Sequence, residues 1–319
     1  DKDALNFAVM DNVVAVGGLG NFSQVDLTKV LAGKKVSVRA GLGATTENVF
    51  GTCSPKDFET MMQLTYLTFT APRKDMEAFE SYKNRTKAEL ESAQANPLSS
   101  INDTLQKAMY NNHPRVVIMK PEMVDQIDYD RILEMYNDRF KDASDFTFYF
   151  VGNIDLETAK PLIAEYLGAL PAINRKETFK DTKMEIRKGT YKNEFAKEQQ
   201  TPMATIVFLY TGKTPYTLKN EDKLAGIVVD ELKKLAAEGP SDVHLQKVKE
   251  YMLKKYADNQ KENAYWLNNL NDYFYYNMDM TQGYTDIVNS ITAKDIQKFA
   301  ADLLKQGNEI EVTMTVPKK

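Results

Sequence analysis

Two histidines, His113 and His244, are all that this chain offers toward a histidine-based metal site. A metal-binding helix of the type H-E-x-x-H, or its inverse H-x-x-E-H, needs two histidines four positions apart so that both imidazoles face one ion. Here they sit in separate segments, His113 in the loop sequence Asn111-Asn112-His113-Pro114 and His244 beside Lys247 on a charged helix face. Both read as ordinary surface or turn residues, and the sequence supplies no metal ligands. A nucleophile is no better provided for, since no G-x-S-x-G occurs. Cys53, the only cysteine, lies in Gly51-Thr52-Cys53-Ser54-Pro55. It could in principle pair with His113, but at the end of a predicted strand it reads first as a buried, inert thiol. Gly17-Gly18-Leu19-Gly20 invites a phosphate-loop reading, yet it follows a helix and no Lys-Ser/Thr comes next, so a helix-terminating turn is expected. No catalytic residue can be named, and the substrate-binding residues are unknown from sequence.

One further cluster has the right chemistry for binding. Tyr273-Phe274-Tyr275-Tyr276 follows Tyr265-Trp266 on one helical run. Trp266, Leu267, Leu270 and Phe274 share a face and read as core, which leaves outward tyrosines able to touch a peptide. The tract Lys254-Lys255-Tyr256 on the preceding helix reads as a solvated face.

Apolar periodicity sets the elements that must position these residues. A helix is expected over about Ala4 to Val16 and a short one over Asp26 to Ala32. Alternating Val36 to Ala40 and Thr45 to Thr52 form a plausible hairpin. Helices follow at Pro55 to Ala71, Lys74 to Gln94, Ser99 to Tyr110 and Tyr129 to Phe140. Asp145 to Val151, with Phe146, Phe148 and Phe150 alternating, is the strongest strand, and Asp155 to Leu167 a further helix. Pro171 to Gln200 reads as an extended connector pairing through edge strands at Met184 to Ile186 and Tyr191 to Phe195. Beyond it come a strand over Met203 to Tyr210, helices over Lys223 to Ala237, Asp242 to Gln260, Ala264 to Tyr276 and Ala293 to Leu304, and a strand over Glu309 to Val316. Helices and strands are segregated rather than strictly alternating, which predicts an α+β fold.

The chain also says nearly the same thing twice. Phe58, Met61, Met62, Tyr66 and Phe69 correspond at one offset to Leu224, Ile227, Val228, Leu232 and Leu235. The same offset carries Phe79, Tyr82, Lys83 and Ile101 onto Leu245, Val248, Lys249 and Leu267, with Pro72 and Pro240 before the second helix of each set. Such self-similarity predicts two homologous units, each an antiparallel-rich sheet packed against helices. The expected division is residues 1–170, a connector over 171–200, and 201–319, the second unit abridged by a helix and a hairpin. With 319 residues and 43% apolar content the chain can bury two cores. Its 45 acidic and 41 basic residues leave a net charge of -4 in short mixed runs, which disfavours nucleic acid as a partner. One cysteine rules out an intrachain disulfide. No stretch has the roughly 20 apolar residues of a membrane span, and the start, Asp1-Lys2-Asp3-Ala4-Leu5, lacks signal-peptide regions. Opening without methionine, the chain reads as a piece of a longer polypeptide.

Together, the glycine turn at Gly17 to Gly20 after a helix, the hairpin Val36 to Thr52, and the paired units of proline, long helix and Asn-containing helix resemble the pitrilysin/insulinase family of zinc metallopeptidases. The best segments are Val36 to Val151 and Met203 to Val316. More narrowly, the chain resembles the C-terminal, non-metal-binding half of a bacterial member. That resemblance implies the α+β fold shared by such metalloproteases and the mitochondrial processing peptidases. It implies a chain inactive alone that encloses and binds peptide substrates for a catalytic half outside it, on the same polypeptide or a homologous subunit. Zinc is implied for that missing half, with no cofactor in this chain, and the cell envelope or periplasm is the implied location. The family's second half usually presents an Arg and a Tyr around a glycine turn; this falls near Thr211 to Lys223, where no counterpart is found. A structural or assembly subunit of the same fold, with no role in peptide binding, is the alternative.

Overall fold

The computed structural model of the protein describes residues 2–43, 45–178, 180–198, 205–210, 216–220 and 223–315. The chain begins with α1 (Ala4–Gly17), α2 (Gln24–Val30), β1 (Val36–Leu42), β2 (Glu47–Cys53), α3 (Phe58–Thr70) and α4 (Met76–Ala95). It continues through α5 (Pro97–Met109), α6 (Tyr129–Phe140), α7 (Leu156–Tyr166), β3 (Thr190–Ala196), β4 (Thr205–Tyr210) and β5 (Tyr216–Asn220). It ends with α8 (Lys223–Glu238), α9 (Asp242–Asn259), α10 (Asn263–Tyr276), α11 (Tyr284–Ser290), α12 (Ala293–Lys305) and β6 (Glu309–Thr315). This is a helix-rich α+β fold with small sheets, as the element order leads one to expect. Two compact units share the chain. One takes in Asp1–Ala95, Val117–Phe148 and Gly152–Thr182, the other Asn96–Val116, Tyr149–Val151 and Lys183–Lys319.

In the first unit, Val9, Met10, Val13 and Val14 form the buried stripe of α1, the three- and four-residue spacing of a helix face. Phe69 of α3 receives Phe140 and Phe146 edge-on, at 5.6 Å and 4.9 Å between centroids. Each such pair contributes about 0.5–1.5 kcal/mol beyond burial. Pro72 lacks the N–H that would bond the Thr68 carbonyl within α3. The buried Tyr136 hydroxyl fills the place, donating to that carbonyl at 2.8 Å. β1 and β2 pair antiparallel from Val36↔Cys53 to Leu42↔Glu47, and Asp11 of α1 accepts the Leu42 N–H at 3.1 Å.

The strand expected over Asp145 to Val151 does not form a ladder among the described residues. Residues 143–145 make a 3-10 turn and the chain beyond is extended. The alternation still decides the facing, since Phe146 and Phe148 both pack on the first unit's core. A ladder needs a neighbouring strand as well, and β1 and β2 are paired with each other.

In the second unit the sheet order is β3-β6-β4-β5. β4 runs antiparallel to β6 and β5, while β3 runs parallel to β6. Val207 and Leu209 lie with Ile310, Val312 and Met314 on the face covered by α5, and Ile206 and Phe208 lie with Leu232 and Leu303 on the face covered by α8 and α12. Burial on both faces explains why β4 is a continuous apolar run rather than an alternating one. α5, which the repeat aligns within the first copy, groups with this second unit. Two short elements, β5 and α11, carry no periodic signal of their own; β5 forms by pairing with β4, from Ile206↔Asn220 to Tyr210↔Tyr216. Of the expected edge strands only the one around Tyr191 to Phe195 enters the sheet, as β3.

Two carboxylates tie the loop after α7 to the end of α6. Asp142, 2% exposed, accepts the Ser144 hydroxyl at 2.6 Å and the backbone N–H groups of Arg175, Ile173 and Ser144 at 2.6, 2.9 and 3.1 Å. These bonds, the Ser144 hydroxyl foremost, hold its carboxyl far below the usual range. Hydrogen bonds from Arg139 and Lys141 do the same for Asp138. A depressed carboxylate stabilises the fold above its unfolded pKa of about 4 and loses that contribution as pH falls through the folded value. The unfolding midpoint of the first unit should therefore fall progressively as pH drops below about 5, and keep falling toward the depressed folded values. Asp142→Asn should lower the midpoint at neutral pH and flatten that dependence in thermal scans. An unchanged neutral midpoint would remove Asp142 from the account.

Candidate functional site

The residues first considered for chemistry are dispersed into structural roles. His113 lies after α5, its Nδ1 accepting the Arg115 N–H at 3.2 Å. His244 stands in the first turn of α9, its own N–H donated to the Ser241 cap at 3.3 Å. Cys53 ends β2, and burial, with the nearby Asp57 adding to it, pushes its thiol up, away from the thiolate a nucleophile needs. No group of three or more His, Cys, Asp or Glu side chains among the described residues could hold a metal ion. The described residues do not fit zinc, which takes four such ligands in structural sites and three in catalytic ones. The glycine turn closes α1: Gly18 has φ 87°, and the Gly20 N–H donates to the Ala71 carbonyl at 2.8 Å. Of the stretch where substrate contacts were expected, residues 211–215 and 221–222 lie outside the described residues, and 216–220 form β5.

A binding-shaped feature lies in the helical part of the second unit. α9, α10 and the start of α11 surround a cleft of about 330 Å³. Tyr256 of α9 stacks on Tyr284 of α11 at 4.3 Å and 15°. Tyr265 of α10 meets Tyr256 edge-on at 6.1 Å and 80°. Burial pushes the Tyr265 phenol above its ordinary value, so it stays a neutral donor. Asn269 donates from Nδ2 to the Tyr265 carbonyl at 2.7 Å, and the Tyr256 hydroxyl donates to the Thr281 carbonyl at 3.5 Å. The rings are thus held in place before anything binds.

The expected core face of α10 is not a core. Trp266 is 40% exposed and Phe274 56%, while Leu267 and Leu270 are half-buried. Helical spacing identifies a common face, but burial needs a partner to cover it. Trp266 instead lies along the end of α9, its Nε1 donating to the Gln260 carbonyl at 2.8 Å. Of the tract Lys254-Lys255-Tyr256, expected as a solvated face, Lys255 and Tyr256 line the cleft, within the rows Tyr251, Lys255, Asn259 and Met252, Tyr256 of α9. Their four-residue spacing was the available signal, since it sets both rows along adjoining faces of one helix.

The sheet offers a second feature, its outer edges. β3 and β5 are the terminal strands, and among the described residues no strand pairs with their outer sides. Along β3 half-buried and exposed residues alternate, with Thr190, Lys192, Glu194 and Ala196 outward. Such an edge can accept an extended peptide through main-chain hydrogen bonds. No helix among the described residues is long and apolar enough to cross a membrane.

Comparison with known proteins gives these features a setting. Residues 126–225 match the family model described as the Peptidase M16 inactive domain. The probable zinc protease PqqL of Haemophilus influenzae is 22% identical over 239 residues, which are 73% of this chain and 25% of that protein. The chain thus spans about a quarter of that relative's length. The crystal structure of the periplasmic protease PqqL from Escherichia coli superposes with a TM-score of 0.77 at 15% identity, covering 99% of this chain and 41% of that one. A peptidase M16 inactive domain from Pseudomonas fluorescens gives 0.74 at 15% identity, covering 100% and 90%.

Proposed function

We propose, on the premise that this chain carries the Peptidase M16 inactive domain and has the fold of that family's C-terminal, non-metal-binding halves, that it is the non-catalytic half of a pitrilysin-like zinc endopeptidase. Its work is to enclose and bind extended peptide for a catalytic half that lies outside it. The observation that carries this reading is the inactive-domain match at residues 126–225, within a fold shared along the whole chain. The outer edges of β3 and β5, with which no strand pairs among the described residues, support it, because main-chain pairing binds peptides without demanding a sequence. The catalytic half, on the same polypeptide or a homologous subunit, would hold the zinc. A place in the cell envelope is supported by the periplasmic protein among the structural relatives.

Mixing decides the matter. Purified alone, the chain is expected to retain no stoichiometric zinc and to leave a quenched fluorogenic peptide intact. Adding the catalytic half should restore turnover well above either part alone. A stable complex with unchanged turnover would make the chain an assembly subunit instead, and one tightly held zinc per chain would refute the reading outright.

A further inference from the structure

We propose that the cleft between α9, α10 and α11 is a specificity site for an aromatic side chain next to a carboxylate in a bound peptide. The inference rests on the peptide-binding reading above and deepens it. Three tyrosine rings, Tyr256, Tyr265 and Tyr284, form a wall whose mutual geometry is already fixed. Met252 and Met280 line the same space and supply polarizable contacts to a ring edge. The volume of about 330 Å³ lies at the small end of ligand pockets, which run from about 300 to 1,000 Å³. That is room for one aromatic side chain and its flanking peptide groups. Tyr251 on the rim is 67% exposed, so an entering ring covers apolar surface that water now wets.

Charge selects the neighbour. Among the described residues, Lys255 is the one charged side chain lining the cleft. No ion pair among the described residues engages it, and the nearest acid along its helix, Asp258, pairs with Lys261 at 3.3 Å. An ammonium beside an aromatic wall, with Asn259 and Asn269 lining the same cleft, suits a carboxylate one residue away from the bound ring. That carboxylate can belong to an aspartate or glutamate side chain or to the peptide's own C-terminus.

The single tryptophan of the chain, Trp266, sits 5.3 Å from the Tyr265 ring, so its fluorescence reports binding directly. Four probes separate the terms: blocked hexapeptides carrying Phe-Asp, Phe-Lys or Ala-Asp at the centre, and a peptide ending in a free Phe-Gly carboxylate. Phe-Asp should bind about tenfold more tightly than Phe-Lys or Ala-Asp, and the free-carboxylate peptide shows whether a chain end serves as well as a side chain. Lys255→Glu, on an exposed side chain, should keep the far-UV circular dichroism and reverse the preference toward Phe-Lys. Tyr256→Ala should weaken all three Phe peptides and leave Ala-Asp unchanged. Absent binding, equal binding of all probes, or a Lys255→Glu protein that still prefers Phe-Asp would overturn the proposal. The mixing assay keeps the two readings apart: restored turnover with no Phe-Asp preference refutes the cleft alone, and an intact preference without restored turnover refutes the proposed partnership with a catalytic half.

Discussion

Gly17→Ala is expected to unfold the first unit, although alanine is ordinarily the better helix residue. In an exposed helix the exchange favours folding by about 1 kcal/mol. At Gly17 a Cβ would stand 1.9 Å from the Arg73 carbonyl oxygen and 2.5 Å from the Tyr129 hydroxyl. The first of these is backbone and has nowhere to go. It lies in the link between α3 and α4, where the Arg73 N–H donates to the Gly18 carbonyl at 3.2 Å and the Arg73 guanidinium to the Gly17 carbonyl at 2.9 Å. Relieving the clash means separating α1 from that link, so a net loss of about 4 kcal/mol or more is expected, a large share of a typical domain's stability. Gly33→Ala is the control. Gly33, unlike Gly17, has a positive φ, 80°, but a Cβ there meets nothing within 4 Å, so only the left-handed backbone penalty of about 1–2 kcal/mol applies. Urea unfolding followed by hydrogen exchange in α1 and α6 should rank the two variants accordingly, with Trp266 fluorescence, which reads the second unit, little changed. Equal losses would mean that the close approach at Gly17 costs no more than the left-handed backbone position at Gly33, and would refute the clash.

That turn was legible in the sequence because its cause is local: a glycine run after an apolar-periodic helix. The same holds for the β1–β2 hairpin, and for α9, where Pro240 and the Ser241 cap announce the start. Side-chain facing was legible too, in that Phe146 and Phe148 turn inward as alternation requires. The sequence did not reveal what covers a face or pairs with an edge. Phe146 to Val151 has the pattern of a strand and no ladder, β5 has a ladder and scarcely any pattern, and the apolar row of α10 finds little to pack against. The cleft was hidden for the same reason. Tyr256 and Tyr284 are distant in sequence, and only the return of the chain through residues 277–283 stacks their rings. Periodicity records the demand for a partner; tertiary pairing decides which partner answers.

α5 makes that distinction measurable. The internal repeat sets Ile101 opposite Leu267, as if both helices did the same work in their own copies. In the structure Ile101 is 2% exposed, and Ile101, Leu105, Ala108 and Met109, one stripe at helical spacing, pack against Val207, Leu209, Ile310, Val312 and Met314. The end of the helix is fastened to the same unit by Arg187, whose backbone N–H donates to the Met109 carbonyl at 2.7 Å and whose Nε donates to that of Ala108 at 2.8 Å. A cation at a helix C-terminus is also favoured by the helix dipole. Ile101→Asp removes an isoleucine whose truncation alone costs about 2–5 kcal/mol and leaves a carboxylate among aliphatic side chains with no partner, a further several kcal/mol. Leu98→Asp, the same chemistry three positions earlier on an exposed site in the helix's first turn, should stay within about 0.5 kcal/mol of the parent chain. Amide exchange separates the possibilities: Ile101→Asp should strip protection from β4 and β6 while α1 and α6 keep theirs. Loss of protection in α1 and α6 with β6 intact would return α5 to the copy in which the repeat places it.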